Sequence, residues 1–204
     1  MNAQQELSRL MDRSPVMAIL RGMPPAQAVA LATRAWDLGI DMVEVPIQTP
    51  EFVPALEAVV AAGRERGRAV GAGTVVDEAQ LATIAGIGVD FAVAPGLDVR
   101  LAHESERRGI PFIPGVATPT EVQLARAAGF GWIKAFPATA LGTAWFRAIR
   151  GPFPDLSLVA TGGIDASNAA DYLAAGARMV AVGSALEDPS QLDELSRLLG
   201  ERTV

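Results

Sequence analysis

Short β-prone apolar runs alternate with longer amphipathic stretches from residue 15 to the C-terminus, and this alternation limits the possible folds more than any other feature of the chain. It is the signature of βα units laid on a parallel sheet. Eight such pairs can be counted, with strands predicted at 15–20, 41–47, 69–73, 90–94, 111–114, 131–136, 157–161 and 178–183. The segments between them have helical periodicity. In 24–38, Pro24 and Pro25 suit a first turn, and Val29, Leu31, Ala32 and Trp36 recur at three- and four-residue steps, which predicts a sheet-facing stripe. Gly39, Gly109, Gly129 and Gly176 fall just before strands, where a helix end tolerates φ > 0. No strand reads as a polar edge, so closure is expected: an α/β chain folded as a single parallel (β/α)8 barrel over residues 1–204. Residues 1–14 should form an extra helix, with Leu7, Leu10 and Met11 on one face, covering the bottom of the barrel.

Composition narrows the function classes. A chain of 204 residues, 50% hydrophobic and 20% charged, can bury a large core without a disulfide or metal staple. Its net charge of -6 and scattered 17 basic residues argue against a nucleic-acid or anionic-membrane partner, because such binding needs clustered cations on one face. With no cysteine, thiolate ligands and cysteine nucleophiles are excluded. The single histidine, His103, leaves too few ligands for a histidine metal site, so neither metal nor cofactor is expected. His103 itself lies in the predicted helix 98–108 among Glu104, Glu106, Arg107 and Arg108 and reads as a solvated residue. The start, MNAQQELSRLMDRS, has no apolar signal core, and no apolar run nears the ~20 residues that span a bilayer, so a soluble cytoplasmic protein is expected.

Function in such a barrel gathers where strands end at the C-terminal face. Lys134 sits inside the apolar run Trp132-Ile133-Lys134-Ala135-Phe136-Pro137. Burial disfavours an ammonium, and a free amine attacks carbonyls; the plainer alternative is a snorkelling or ion-paired lysine. Glu44 occupies the same kind of position in Met42-Val43-Glu44-Val45-Pro46-Ile47. If both point inward, an amine and a carboxylate share one low-dielectric cavity and can move protons around an iminium carbon, or they form a buried ion pair of no clear benefit to stability.

Three glycine-bearing strand ends complete the set: Gly71-Ala72-Gly73-Thr74, Thr161-Gly162-Gly163-Ile164 and Val182-Gly183-Ser184-Ala185. Barrels often bind phosphate with the loops after strands 7 and 8, where glycines let backbone N–H groups approach the oxygens; ordinary tight turns are the alternative. Arg21, at the end of Ala18-Ile19-Leu20-Arg21-Gly22, should stand at the rim, where a guanidinium can hold a carboxylate or simply be a solvated charge.

Taken together, these motifs resemble the 2-keto-3-deoxy-6-phosphogluconate (KDPG) aldolase family of TIM barrels, with its 4-hydroxy-2-oxoglutarate (KHG) and 2-keto-3-deoxy-6-phosphogalactonate aldolase relatives. The resemblance runs from about Pro15 to Ala185 and is carried also by Ala94-Pro95-Gly96, by Pro114-Gly115-Val116-Ala117-Thr118-Pro119-Thr120-Glu121 and by Val75 after the first glycine motif. It implies that Lys134 is the Schiff-base lysine and Glu44 the general acid/base. It further implies that Gly162, Gly163 and Ser184 bind the substrate phosphate, and that the protein is a homotrimer without metal. Thr74, Pro95, Thr161 and Gly183 fall on substrate-binding motifs. Two departures matter. Many gluconate-type members have an arginine after strand 2, where this chain has Ile47-Gln48-Thr49-Pro50, so the keto-acid carboxylate is assigned to Arg21 with Thr74. Arg21 resembles the galactonate branch, whereas Thr161 resembles the gluconate branch, and the C4 epimer stays open.

The reaction expected is cleavage of a 2-keto-3-deoxy-6-phospho sugar acid to pyruvate and D-glyceraldehyde 3-phosphate. The alternatives are 4-hydroxy-2-oxoglutarate cleavage, an isomerase or epimerase using Glu44 and Lys134 as an acid/base pair, and a non-catalytic phospho-sugar-binding scaffold.

Overall fold

The computed structural model describes residues 3–183, 186 and 188–200. Helix α1 (Ala3–Met11) precedes β1 (Val16–Ile19), α2 (Pro25–Asp37), β2 (Met42–Pro46), α3 (Val53–Arg66), β3 (Ala69–Gly73), α4 (Glu78–Ile87), β4 (Phe91–Val93) and α5 (Val99–Arg107). Then follow β5 (Phe112–Ile113), β6 (Gly115–Val116), α6 (Pro119–Ala127), β7 (Trp132–Ala135), α7 (Ala138–Arg150), β8 (Ser157–Thr161), α8 (Ala169–Ala174), β9 (Met179–Val182) and α9 (Pro189–Gly200). Strand order is β5-β4-β3-β2-β1-β9-β8-β7-β6, and the paired strands are parallel.

The two ends of that order, β5 and β6, are separated in the chain by Pro114 alone. They are halves of one barrel strand, so the ring closes as eight and the (β/α)8 barrel follows. The predicted fifth strand, 111–114, therefore continues to Val116 with a break at its proline. Pro114 has no N–H to give to the ladder, but its carbonyl still accepts the Lys134 N–H at 2.9 Å.

Alternation along each strand sorts side chains into two cores. Val43, Val45, Ile133 and Ala135 pack outward with the helices. Met42, Trp132, Val159 and Met179 pack into the lumen, together with Leu7 and Met11 of α1. The N-terminal helix thus stoppers the bottom of the barrel, as its apolar face predicts. It is also tied there: Gln4 Oε1 accepts the Gly131 N–H at 3.1 Å, and Ser8 Oγ accepts the Trp132 indole N–H at 3.1 Å. These bonds hold the root of β7. Phe91 fills lumen volume that Gly71 leaves empty, since a Cβ on Gly71 would lie 2.2 Å from its ring.

Helix starts follow local chemistry. Asp77 and Asp98 side chains cap α4 and α5, and Thr118 with Glu121 forms a capping box on α6. The four glycines before strands have φ of 89°, 78°, 92° and 110°. Two expectations need correction. The buried stripe of α2 is Ala28, Ala32, Ala35 and Trp36, while Val29 and Leu31 are only half-buried; the helix lies so close to its neighbours that alanines fill its face. His103 is half-buried rather than solvated, with Nε2 3.0 Å from the Ala128 carbonyl and its ring stacked on Phe130 at 5.3 Å. No described helix is long and apolar enough to cross a membrane.

Candidate active site

By alternation, Glu44 shares the lumen face of β2 with Met42, and Lys134 shares that of β7 with Trp132. Both are buried, at 0% and 2% exposure. Their strands are the second and sixth of the eight-strand ring, so the two groups project from opposite walls of the lumen. The register places Glu44 beside Ile19 and Gly71, and Lys134 beside Gly115 and Val159. The glycine neighbours leave no empty space: the Phe91 ring packs where a Cβ on Gly71 would stand, and the Pro95 backbone where one on Gly115 would.

The alternative of a buried ion pair finds no contact to support it. Neither oxygen of Glu44 has a hydrogen-bond partner among the described residues. Lys134 Nζ lies 5.1 Å from the centroid of the Phe136 ring. A buried carboxylate without donors is costly, and such groups collect where a ligand supplies the missing bonds. Thr161 Oγ1, at the end of β8, is likewise buried without a partner, and so is Gln48 Oε1 just past β2.

Above this level a cavity of about 330 Å³ opens at the C-terminal face, lined by Ile19, Arg21, Met23, Phe136, Thr161, Gly162, Gly163, Ile164, Ala181 and Gly183. It brings together Arg21, Thr161, Gly162, Gly163 and Gly183 of the predicted site. Phe136 joins it to the amine: the ring that faces Lys134 also lies 3.1 Å from where a Cβ on Gly162 would stand. Strand alternation could have pointed to Phe136, two residues beyond Lys134.

The 162–168 turn is arranged so that its carbonyls are occupied. Gly162 O accepts from Thr139 N–H at 3.1 Å and Thr139 Oγ1 at 3.2 Å, and Gly163 O accepts from Asn168 Nδ2 at 3.0 Å. The N–H groups of Gly162, Gly163 and Ile164 donate to no described residue. The two glycines have φ of 100° and 75°, and residues 162–164 line the cavity, where backbone amides left free in a turn can take an anion. Arg21 is exposed at the rim and forms no ion pair with a described carboxylate.

Thr74 follows β3 with φ 61°, the one non-glycine residue described with positive φ. For a β-branched side chain that conformation costs about 1–3 kcal/mol and collects at functional sites. Pro95 does not line the main cavity. It borders a neighbouring one of about 250 Å³ with Val75, Val76 and Leu97, and its carbonyl packs against Gly115. Ser184 lies outside the described residues.

The family model for KDPG and KHG aldolase matches residues 7–198. A probable 2-dehydro-3-deoxy-6-phosphogalactonate aldolase of Rhizobium meliloti (strain 1021) is 36% identical over 176 residues, covering 86% of this chain and 82% of the relative. The KHG/KDPG aldolase of Escherichia coli (strain K12) is 34% identical over 174 residues, covering 85% and 81%. Among solved structures, a KDPG aldolase from Legionella pneumophila with pyruvate captured at low pH as a covalent carbinolamine intermediate superposes with a TM-score of 0.79 at 30% identity, covering 93% of this chain and 94% of that one. A family match over nearly the whole barrel, with relatives above 30% identity on both the phosphogalactonate and the KHG/KDPG side, agrees with the buried amine and carboxylate of its lumen: the chain belongs to the KDPG and KHG aldolase family.

Proposed function

We propose that this protein is a class I aldolase that reversibly cleaves a 2-keto-3-deoxy-6-phospho sugar acid to pyruvate and D-glyceraldehyde 3-phosphate, with Lys134 as its nucleophile. The observation that carries this reading is the pair of buried lumen groups, an amine and a carboxylate on opposite walls, with neither carboxylate oxygen hydrogen-bonded and the amine in no ion pair among the described residues. Lys134 adds to the C2 ketone, and loss of water gives an iminium that accepts the electron pair of the breaking C3–C4 bond. Glu44 takes the proton of the C4 hydroxyl as the aldehyde leaves and later returns a proton to C3 of the enamine.

The amides of Gly162, Gly163 and Ile164, with Gly183 and Ser184, grip the phosphate. Arg21 and Thr74 orient the pyruvyl carboxylate, with Pro95 supporting that side of the mouth and the Thr161 hydroxyl meeting the substrate between the two ends. Holding both ends supplies the positioning that catalysis needs. Relatives of both epimer types match, so the C4 preference is not part of the proposal. The whole chain, residues 1–204, acts as one aldolase domain, in the cytoplasm and as a homotrimer. A likeness to a cage built by fusing symmetric oligomeric domains supports self-association.

The test is intact-mass spectrometry after incubation with pyruvate and sodium borohydride. A pyruvyl adduct that maps to Lys134 and is missing in Lys134→Ala is the expected result. Folded wild-type protein that takes no adduct in excess pyruvate would refute the Schiff-base reading and favour the isomerase or binding-scaffold alternatives. Removing the substrate phosphate should lower kcat/KM, and an unchanged value would remove the glycine turns from the site.

A further inference from the structure

Gly73 closes β3 beside Pro46 in register, two residues along β2 from Glu44. A Cβ built on Gly73 would lie 2.0 Å from Glu44 Oε1, 2.7 Å from its Cδ and 2.8 Å from its Cγ. Nonbonded heavy atoms settle at about 3.5–4 Å, so a side chain at position 73 would displace the Glu44 carboxylate from this position. The backbone does not itself require glycine there, because Gly73 is not among the residues with positive φ. The need for glycine is purely steric, and the group that fills the vacated space is the lumen carboxylate.

A second fact gives that contact its weight. Among the described residues, none donates a hydrogen bond to either oxygen of Glu44, so no described donor fixes the direction of its carboxylate. Its position is set by the walls it rests against. At Gly71 the corresponding space is taken by the Phe91 ring, which is packing; at Gly73 it is taken by an ionisable group.

We infer that Gly73 is a positioning residue for Glu44: its bare α-carbon is the wall that seats the carboxylate at the height where it reaches C3 and the C4 oxygen of a Lys134-bound substrate. This inference rests on the reading of Glu44 as the proton carrier.

Exchange of pyruvate methyl protons in heavy water isolates the step. Lys134 condenses with the ketone and releases water. Glu44 then accepts a C3 proton while the C–H electron pair forms the enamine double bond and the iminium pair moves to nitrogen. A deuteron returns along the same path. Borohydride trapping of the iminium needs Lys134 but not this transfer, so the two readouts separate amine from base.

Three variants complete the experiment: Gly73→Ala, Glu44→Asp and the two combined. In Gly73→Ala, trapping on Lys134 should persist while proton exchange falls by about 100-fold, the scale of an ångström-sized misplacement. Glu44→Asp alone should slow exchange, because it withdraws the carboxylate by one methylene. Added to Gly73→Ala, the same change should restore about tenfold of the lost rate, since the shorter side chain removes the tightest contact, the 2.0 Å one at Oε1, and leaves only the 2.7–2.8 Å contacts at the Cδ and Cγ positions to relax. That reversal of sign is something a merely structural glycine would not produce.

Normal exchange in Gly73→Ala, or Glu44→Asp slowing exchange in both backgrounds, overturns the inference. If Gly73→Ala does not fold, a folded and trappable double variant supports it, and an unfolded double overturns it because the obstruction then lies elsewhere. Wild-type protein that neither traps nor exchanges pyruvate would refute the aldolase reading itself, which is a different result from any of these.

Discussion

Replacing Lys134 with methionine should abolish adduct formation and make the protein more stable. The amine is 2% exposed, ends inside the barrel, and has the Phe136 ring at 5.1 Å but no described carboxylate within ion-pair distance. Burying a polar group without a compensating hydrogen bond costs about 1–3 kcal/mol on mutational scales. The cation–π contact offsets roughly 0.5–1 kcal/mol of that. Methionine has a similar length and no such requirement, so the net gain is up to about 2.5 kcal/mol. At roughly 2–4 °C per kcal/mol for a chain of this size, Tm should rise by up to about 10 °C. Calorimetric or circular-dichroism melting of wild type and Lys134→Met at neutral pH reads this, with borohydride trapping run on the same samples. A lower Tm in the variant would refute the reasoning. It would mean that Lys134 and Glu44 stabilise one another across the lumen, and that the amine is held for folding as well as for chemistry.

Two further predictions test the frame around the site. Leu7 is fully buried at the stoppered end, so Leu7→Ala should cost about 2–5 kcal/mol by the usual cavity penalty while leaving kcat/KM of the folded enzyme near wild type; melting and steady-state kinetics read the two effects separately, and a large kinetic loss would contradict the separation of floor from mouth. The Ala117 N–H, reinforced by Thr118, holds the Glu121 carboxyl below its ordinary value of 4.5, against the opposing effect of partial burial. A depressed folded value gives stability that is present above pH 4.5 and lost as pH falls through that lower value. Glu121→Gln should therefore destabilise by up to about 1 kcal/mol at pH 7, and the gap in Tm should close in acid; a pH-independent gap would rule out the charge as its cause.

Much of this architecture was legible in the chain because barrel strands are short, apolar and punctuated by glycine. Lys134 and Glu44 stood out for the same reason: in Trp132-Ile133-Lys134-Ala135 and Met42-Val43-Glu44-Val45 each is the one charge in a run that must be buried. What escaped the reading depended on distances between elements. Ala28 and Ala35 carry the face of α2 because of how near that helix sits to its neighbours, which periodicity does not encode. The fifth strand runs on past Pro114 because its two halves bond to different neighbours, whereas a proline read locally marks an end. His103 sits in a charged helix, yet Phe130 and the Ala128 carbonyl reach it from the next unit. The contact between Gly73 and Glu44 depends on the stagger of β3 against β2, so the glycine motif alone suggested a turn and not a seat for a carboxylate.

A tube sealed by α1 at one end has a single doorway, and traffic through it is ordered by depth. On the aldolase reading, the pyruvyl fragment is tethered to a lysine one strand step above the stopper residue Trp132, while the phosphorylated aldehyde lies nearer the glycine-lined mouth. The aldehyde must clear the doorway before the inner fragment can follow. In the synthetic direction the same geometry loads pyruvate first. The floor that keeps the barrel folded is thus also what imposes a queue on its chemistry.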